Sequence, residues 1–156
     1  MKIHALLSED TVIPEIQSQE KAAALEEMVR YLKSKNKVRK DKELYEKLIQ
    51  REKLGSTAIG NGIAIPHCKL KEAESPILAL AVSQKGVRFE ALDGKPTHLF
   101  FLVASSPDNP GQSLQILASI AHLVRKTGSL LKRIMGAKNP RKIIEIIREE
   151  EEKLEG

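Results

Sequence analysis

The spacing of apolar residues changes period twice along this chain, and that change limits the fold more than any other feature. In the first third, apolar side chains recur at helical spacing: Leu25, Met28, Val29 and Leu32 form one stripe, and Leu44, Tyr45, Leu48 and Ile49 another. Then come three short runs that are apolar at every position: Ile63–Ile65, Ile77–Val82 and Leu99–Ala104. A strand that is apolar on both alternations is covered on both faces, so these runs read as interior strands. The last third returns to helical spacing. Helices before, between and after central strands specify an α/β chain: a central sheet flanked by helices on both faces, in three layers. At 156 residues, 41% of them hydrophobic, the chain has the size and apolar content of one such domain, residues 1–156. No repeat, low-complexity tract or long linker divides it.

Local signals place the helix ends. Ser18 is positioned to cap the first long helix and Asp41 the second, with Gly55 just past the second helix's end. Asn109-Pro110 and Asn139-Pro140 each read as an N-cap followed by proline at the first helical position, where its missing N–H costs nothing. The closing REEEEKLEG reads as a solvated helix end.

Composition removes several functional classes. The formal charge is +5, but lysine is interleaved with glutamate rather than gathered in blocks, and aromatics are only 3%. That is too few for base-stacking platforms, so no nucleic-acid partner is expected. Cys68 is the single cysteine and cannot form an internal disulfide, which fits a reducing cytoplasm. The opening MKIHALLSED lacks the apolar stretch of a signal peptide, and no run approaches the roughly 18 apolar residues of a membrane span.

The stretch from Gly55 to Leu70, GSTAIGNGIAIPHCKL, is where chemistry concentrates. A nucleotide-type phosphate loop needs lysine directly after the second glycine of its motif, and Asn61 stands there. A zinc site needs several spaced ligands, whereas His67 and Cys68 are adjacent and point to opposite faces of an extended backbone. The same divergence hampers a cysteine–histidine nucleophile pair. His67 itself remains. Pro66 lacks a donor and fixes φ, so Ile65-Pro66 is expected to end the strand and deliver His67 to its edge. A neutral imidazole is a nucleophile when one nitrogen is free and the other N–H is held by a carbonyl. If the accepted group were a phosphoryl, it would need a cation and backbone donors nearby.

Arg51 is the candidate cation, at the end of the inward stripe begun by Leu44 and Leu48. Gly55-Ser56-Thr57 follows within a turn and offers hydroxyls and N–H groups. Position alone leaves Arg51 two roles: phosphoryl binding, or a cation snorkelling at a helix C-terminus. His67 likewise reads either as a nucleophile or as a plain strand-end residue.

The block REKLGSTAIGNGIAIPHCKL, Arg51 to Leu70, resembles the active-site signature of the fructose/mannitol-type enzyme IIA domains of the bacterial phosphotransferase system, nearest to the nitrogen-regulatory branch. Length, element order and the helix containing SLQILASIA agree across essentially the whole domain. The resemblance implies a mixed central sheet, and a histidine after Ile-Pro, here His67, that accepts phosphate from the histidine-containing phosphocarrier protein. The family's phosphate-binding arginine falls on Arg51. Ser56, Thr57 and Ser113 are expected as phosphate-binding donors, and neither a metal nor a cofactor is implied. Two roles follow. One is a metabolic or nitrogen regulator acting on target proteins as an interaction domain. The other is a transport component that passes phosphate to the cysteine of an enzyme IIB. A chain without an attached IIB or membrane portion, close to the nitrogen-regulatory signature, favours the regulator.

The chain departs from the family pattern once within the site. Family members carry a second histidine before a leucine at the start of the helix after the last central strand, and here that position is Ser113 in Gln112-Ser113-Leu114. Ser113 heads the inward stripe Leu117, Ile120, Val124. His122 falls with Gln115, Ser119 and Lys126 on the polar face and reads as a surface residue. His98, before the Leu99 run, and His4, near the terminus, carry no chemistry in this reading.

Overall fold

In the computed structural model, residues 2–155 are described; Met1 and Gly156, the ends of the expected 1–156 domain, lie outside them. A four-residue helix α1 (Ile3–Leu6) and a 3₁₀ turn lead to the short strand β1 (Val12–Ile13). Two helices follow, α2 (Lys21–Ser34) and α3 (Asp41–Lys53), and then β2 (Ala58–Gly60), β3 (Ile63–Ala64), β4 (His67–Lys69), β5 (Ile77–Val87) and β6 (Thr97–Ser105). The chain closes with α4 (Pro110–Lys126), α5 (Leu130–Met135) and α6 (Pro140–Glu155).

The sheet runs β1-β5-β6-β3-β2, with β4 also paired to β6. It is mixed: β1 lies parallel to β5, β3 and β4 parallel to β6, while β5–β6 and β2–β3 are antiparallel. The apolar runs carry two cores, as their composition requires. Ala79, Ala81, Phe100, Leu102 and Ala104 pack with Leu25, Met28, Leu32, Leu44 and Leu48 of α2 and α3. The alternate residues Leu78, Leu80, Val82, Leu99, Phe101 and Val103 pack with Ile116, Ile120 and Leu123 of α4 and Ile143, Ile146 and Ile147 of α6. Three layers follow directly from strands that are apolar on both sides.

The asparagine caps form as expected. Asn109 Oδ1 accepts from the Gln112 N–H at 3.2 Å, and Asn139 Oδ1 from the Lys142 N–H at 2.9 Å. The other two caps differ. The helix α2 begins at Lys21, beyond the reach of Ser18, whose N–H and hydroxyl both donate to Glu27 at 2.9 Å. Asp41 is the first helical residue of α3 rather than its cap. The incoming backbone is held by Glu72, which accepts from the N–H groups of Arg39 at 2.7 Å and Lys40 at 2.8 Å. Neither helix has a side-chain N-cap; in both places a carboxylate instead holds the backbone that leads into the helix.

Ile65-Pro66 ends the strand as expected, since β3 stops at Ala64, but pairing then resumes at His67: Ala64 pairs with Phe100 and His67 with Val103, an unchanged register. Pro66 costs the ladder one donor, while its carbonyl accepts from Val103 N–H at 2.9 Å. His67 therefore sits within a strand at the sheet's margin, held by pairing on one side.

Candidate functional site

The cleft of about 510 Å³ at this margin is lined by Lys47, Gln50, Arg51 and Leu54 from the end of α3, by His67, Cys68 and Lys69 of β4, and by Ser113 of α4. Its walls come from both faces of the sheet, because α3 packs on one and α4 on the other. His67, Arg51 and Ser113, predicted separately, are brought together here.

His67 is half-buried, and its Nδ1 lies 2.7 Å from the Ile65 carbonyl. A carbonyl oxygen only accepts, so Nδ1 carries the proton and Nε2 keeps its lone pair. The bond is a product of period 2: His67 and Ile65 lie on the same side of the strand, and the peptide between them presents its oxygen to the ring. The ring is thereby fixed in orientation and tautomer before any ligand arrives.

Arg51 is partly buried and donates from Nη1 to the Gly55 carbonyl at 2.8 Å. Gly55 has φ +149°, a conformation open to glycine, and this turns the chain back under the end of α3. One guanidinium N–H is thus fixed in a side chain that lines the cleft. Lys47, one helical turn before Arg51, and Lys69 add two further cations to the lining, and among the described residues no carboxylate joins them. The cleft is therefore electropositive and suited to an anion.

Ser113 is only 5% exposed yet lines the cleft from the first turn of α4, as the inward stripe predicts. Ser56 and Thr57 sit outside the lining. The Ser56 hydroxyl donates to the Phe89 carbonyl at 2.7 Å, and the Thr57 hydroxyl donates to the Glu52 carboxylate. Both hydroxyl protons are thus engaged in holding the loop, and neither is free for a group in the cleft. Sequence reasoning missed Lys47, Gln50, Leu54 and Lys69; the helical spacing from Arg51 and the two-residue spacing from His67 to Lys69 were the signals available.

Cys68 points to the face opposite His67 and packs against the α2–α3 core. Burial pushes its thiol pKa up to about 12, so it is protonated at neutral pH and no competitor of His67 as nucleophile. Of the other histidines, His98 Nδ1 donates to the Ser83 carbonyl at 2.8 Å, His4 Nδ1 pairs with Glu151 at 2.7 Å, and His122 is exposed. None of these three lines the cleft. Among the described residues no three His, Cys, Asp or Glu side chains gather where they could hold a metal ion, and no helix is long and apolar enough to cross a membrane.

Fold and cleft together define an α/β domain in which one hydrogen-bonded imidazole lines a cation-rich cleft. Residues 5–150 match the family described as phosphoenolpyruvate-dependent sugar phosphotransferase system, EIIA 2, and the chain belongs to that family. A nitrogen regulatory protein of Bradyrhizobium diazoefficiens is 31% identical over 150 residues, which cover 94% of this chain and 95% of that protein. The fructose-specific EIIABC component of Bacillus subtilis is 35% identical over 147 residues, 94% of this chain; this chain spans 23% of that longer protein. Among solved structures, the nitrogen regulatory protein IIA-Ntr of Neisseria meningitidis superposes with a TM-score of 0.83 at 26% identity, covering 93% of this chain and 98% of that one. The Escherichia coli mannitol enzyme IIA, solved in complex with phosphorylated mannitol enzyme IIB, has a TM-score of 0.75 at 19% identity, covering 92% of this chain and 97% of that one.

Proposed function

We propose that His67 Nε2 accepts a phosphoryl group from the histidine-containing phosphocarrier protein, making this chain a phosphohistidine module of the phosphotransferase system. The observation that carries this is the Ile65 carbonyl bond at 2.7 Å, which leaves Nε2 as the nucleophilic nitrogen in a cleft lined by Lys47, Arg51 and Lys69. In the step, the Nε2 lone pair attacks phosphorus and the bond to the carrier's histidine breaks, returning that electron pair to the carrier's ring. Arg51 neutralises charge on the phosphoryl oxygens, and Ser113 donates to them from the opposite wall. The Ile65 carbonyl stabilises the positive charge that develops on the ring by holding the Nδ1 proton. The site works in the cytoplasm, needs no metal, and needs no cofactor beyond the phosphorylated carrier.

Downstream, this phosphohistidine acts as a regulatory signal read by target proteins. The match to a nitrogen regulatory protein along nearly the full length of both chains supports that role. Passage of phosphate to an enzyme IIB cysteine is the second role, supported by the 35% identity to part of a fructose-specific EIIABC component. Incubation with phosphorylated carrier should label the wild type and leave His67→Ala unlabelled but folded. Onward transfer to candidate IIB proteins then separates the two roles: rapid loss of label to one of them favours transport, and retention with all of them favours regulation.

A further inference from the structure

Beside Arg51, on the buried side of the same helical turn, Glu52 holds a carboxylate of which only 4% is exposed. Its oxygens accept from Lys21 Nζ of α2 at 2.9 Å, from the Thr57 N–H at 3.1 Å and from the Thr57 hydroxyl. The Lys21 side chain is itself only 13% exposed, and its Nζ lies 4.8 Å over the Phe89 ring. Ser56, between these anchors, donates to the Phe89 carbonyl at 2.7 Å. Residues 55–57 are therefore fixed at their far end from inside the protein, and at their near end Gly55 presents the carbonyl that holds Arg51 at 2.8 Å. A buried carboxylate needs such partners, since an unpaired charge inside a protein is strongly unfavourable.

We propose that Glu52, clamped by Lys21, is a positioning residue for Arg51: it fixes the Gly55–Thr57 loop, and through the Gly55 carbonyl it aims the guanidinium into the His67 cleft. This rests on the assignment of Arg51 to the phosphoryl group, and it gives Ser56 and Thr57 a purpose other than the one their hydroxyls suggest. A long arginine side chain has many rotamers, and one anchored N–H removes most of them before a ligand arrives. Glu52 does so without touching the cleft.

Glu52→Gln keeps the shape and one acceptor but removes the nearer and buried one of the two carboxylates beside Lys21, the other being the exposed Glu90 at 3.5 Å. Two readouts test it. The first is ¹⁵N relaxation of the Arg51 Nε–Hε group in the unphosphorylated protein, where the order parameter should fall from a rigid toward a flexible value. The second is the initial rate of phosphoryl transfer, which should drop about tenfold through misplacement of the fork. In an Arg51→Ala background the same substitution should cost less than about twofold, since its effect is exerted through Arg51. Unchanged Arg51 order in Glu52→Gln, or rate losses that multiply in the double variant, would overturn the proposal and leave Glu52 a fold-stabilising residue. Should Glu52→Gln fail to fold, Thr57→Val removes one anchor with little change in shape and is judged by the same two readouts. The relaxation measurement needs no phosphoryl donor, so failure of the wild type to be labelled would count against the proposed function alone.

Discussion

Replacing Arg51 separates the contribution of charge from that of geometry. A guanidinium carries five N–H donors, and Arg51 commits one to the Gly55 carbonyl at 2.8 Å, which leaves the others for phosphoryl oxygens in the cleft. Arg51→Ala removes both the charge and the fork. Losing a preorganised donor to a developing anion costs about 2–4 kcal/mol in the transition state, or a rate loss on the order of 10²–10³. Arg51→Lys keeps a cation but not the planar fork, and an ammonium ion at that position cannot both hold Gly55 and span two oxygens. A loss of about tenfold, or about 1.4 kcal/mol, is expected for it. The effect on folding should be smaller, about 1 kcal/mol for the lost bond to Gly55, because the side chain is only partly buried. The assay is the initial rate of label transfer from phosphorylated carrier to each variant, with thermal melting as the control. Equal rates for wild type, Lys and Ala forms would refute the reasoning and leave Arg51 a capping cation.

Three further residues, Ser113, Cys68 and Glu72, probe the rest of the site and fold. Ser113→Ala should slow phosphoryl transfer less than Arg51→Ala, because a neutral hydroxyl is a weaker donor than a charged fork; Ser113→His should raise the rate by up to about tenfold, most clearly below about pH 6.5, where imidazole is charged. Transfer rates across pH that match wild type for both variants would exclude Ser113 from the reaction. Folding prefers the protonated Cys68 thiol, since burial raises its pKa to about 12, so iodoacetamide at pH 8 should modify native protein far more slowly than unfolded protein. By the same linkage, stability should decline as pH rises past the ordinary thiol value of about 8.5. Desolvation alone would raise the Glu72 pKa, but the N–H groups of Lys40 and Arg39 outweigh it and hold the carboxyl below its usual range. Its stabilisation is thus complete above the ordinary carboxylate value of about 4.3 and is lost as pH falls through the lowered one. Glu72→Gln should cost about 1 kcal/mol at pH 7 in a denaturant titration and less at pH 3, whereas an equal loss at both would contradict the assignment.

What the sequence made legible was whatever depends on neighbours along the chain. Asn109 and Asn139 cap their helices because each acceptor serves an N–H three residues on, and His67 turns its Nδ1 to a carbonyl two residues back. The three layers follow from strands apolar on both alternations, and Ser113 reaches the cleft because helical spacing fixes its face. What stayed hidden depends on partners that the tertiary fold brings up, at no fixed local spacing. Glu72 anchors the start of α3 from across a loop, and Glu27 reaches back from α2 to take the donors of Ser18. The hydroxyls of Ser56 and Thr57 looked free beside the site, yet Phe89 and Glu52 engage them, and no local spacing announces either contact. The resumption of pairing beyond Pro66 was equally hidden, since its register is set by β6, more than thirty residues on.

The most direct test is to identify the atom that carries the phosphoryl group. After incubation of uniformly ¹⁵N-labelled protein with phosphorylated carrier, the coupling between phosphorus and nitrogen in the His67 ring reports which nitrogen is bonded. A single adduct is predicted, with phosphorus on His67 Nε2 and the proton retained on Nδ1. A phosphoryl group on Nδ1, on another histidine or on a hydroxyl would contradict the account.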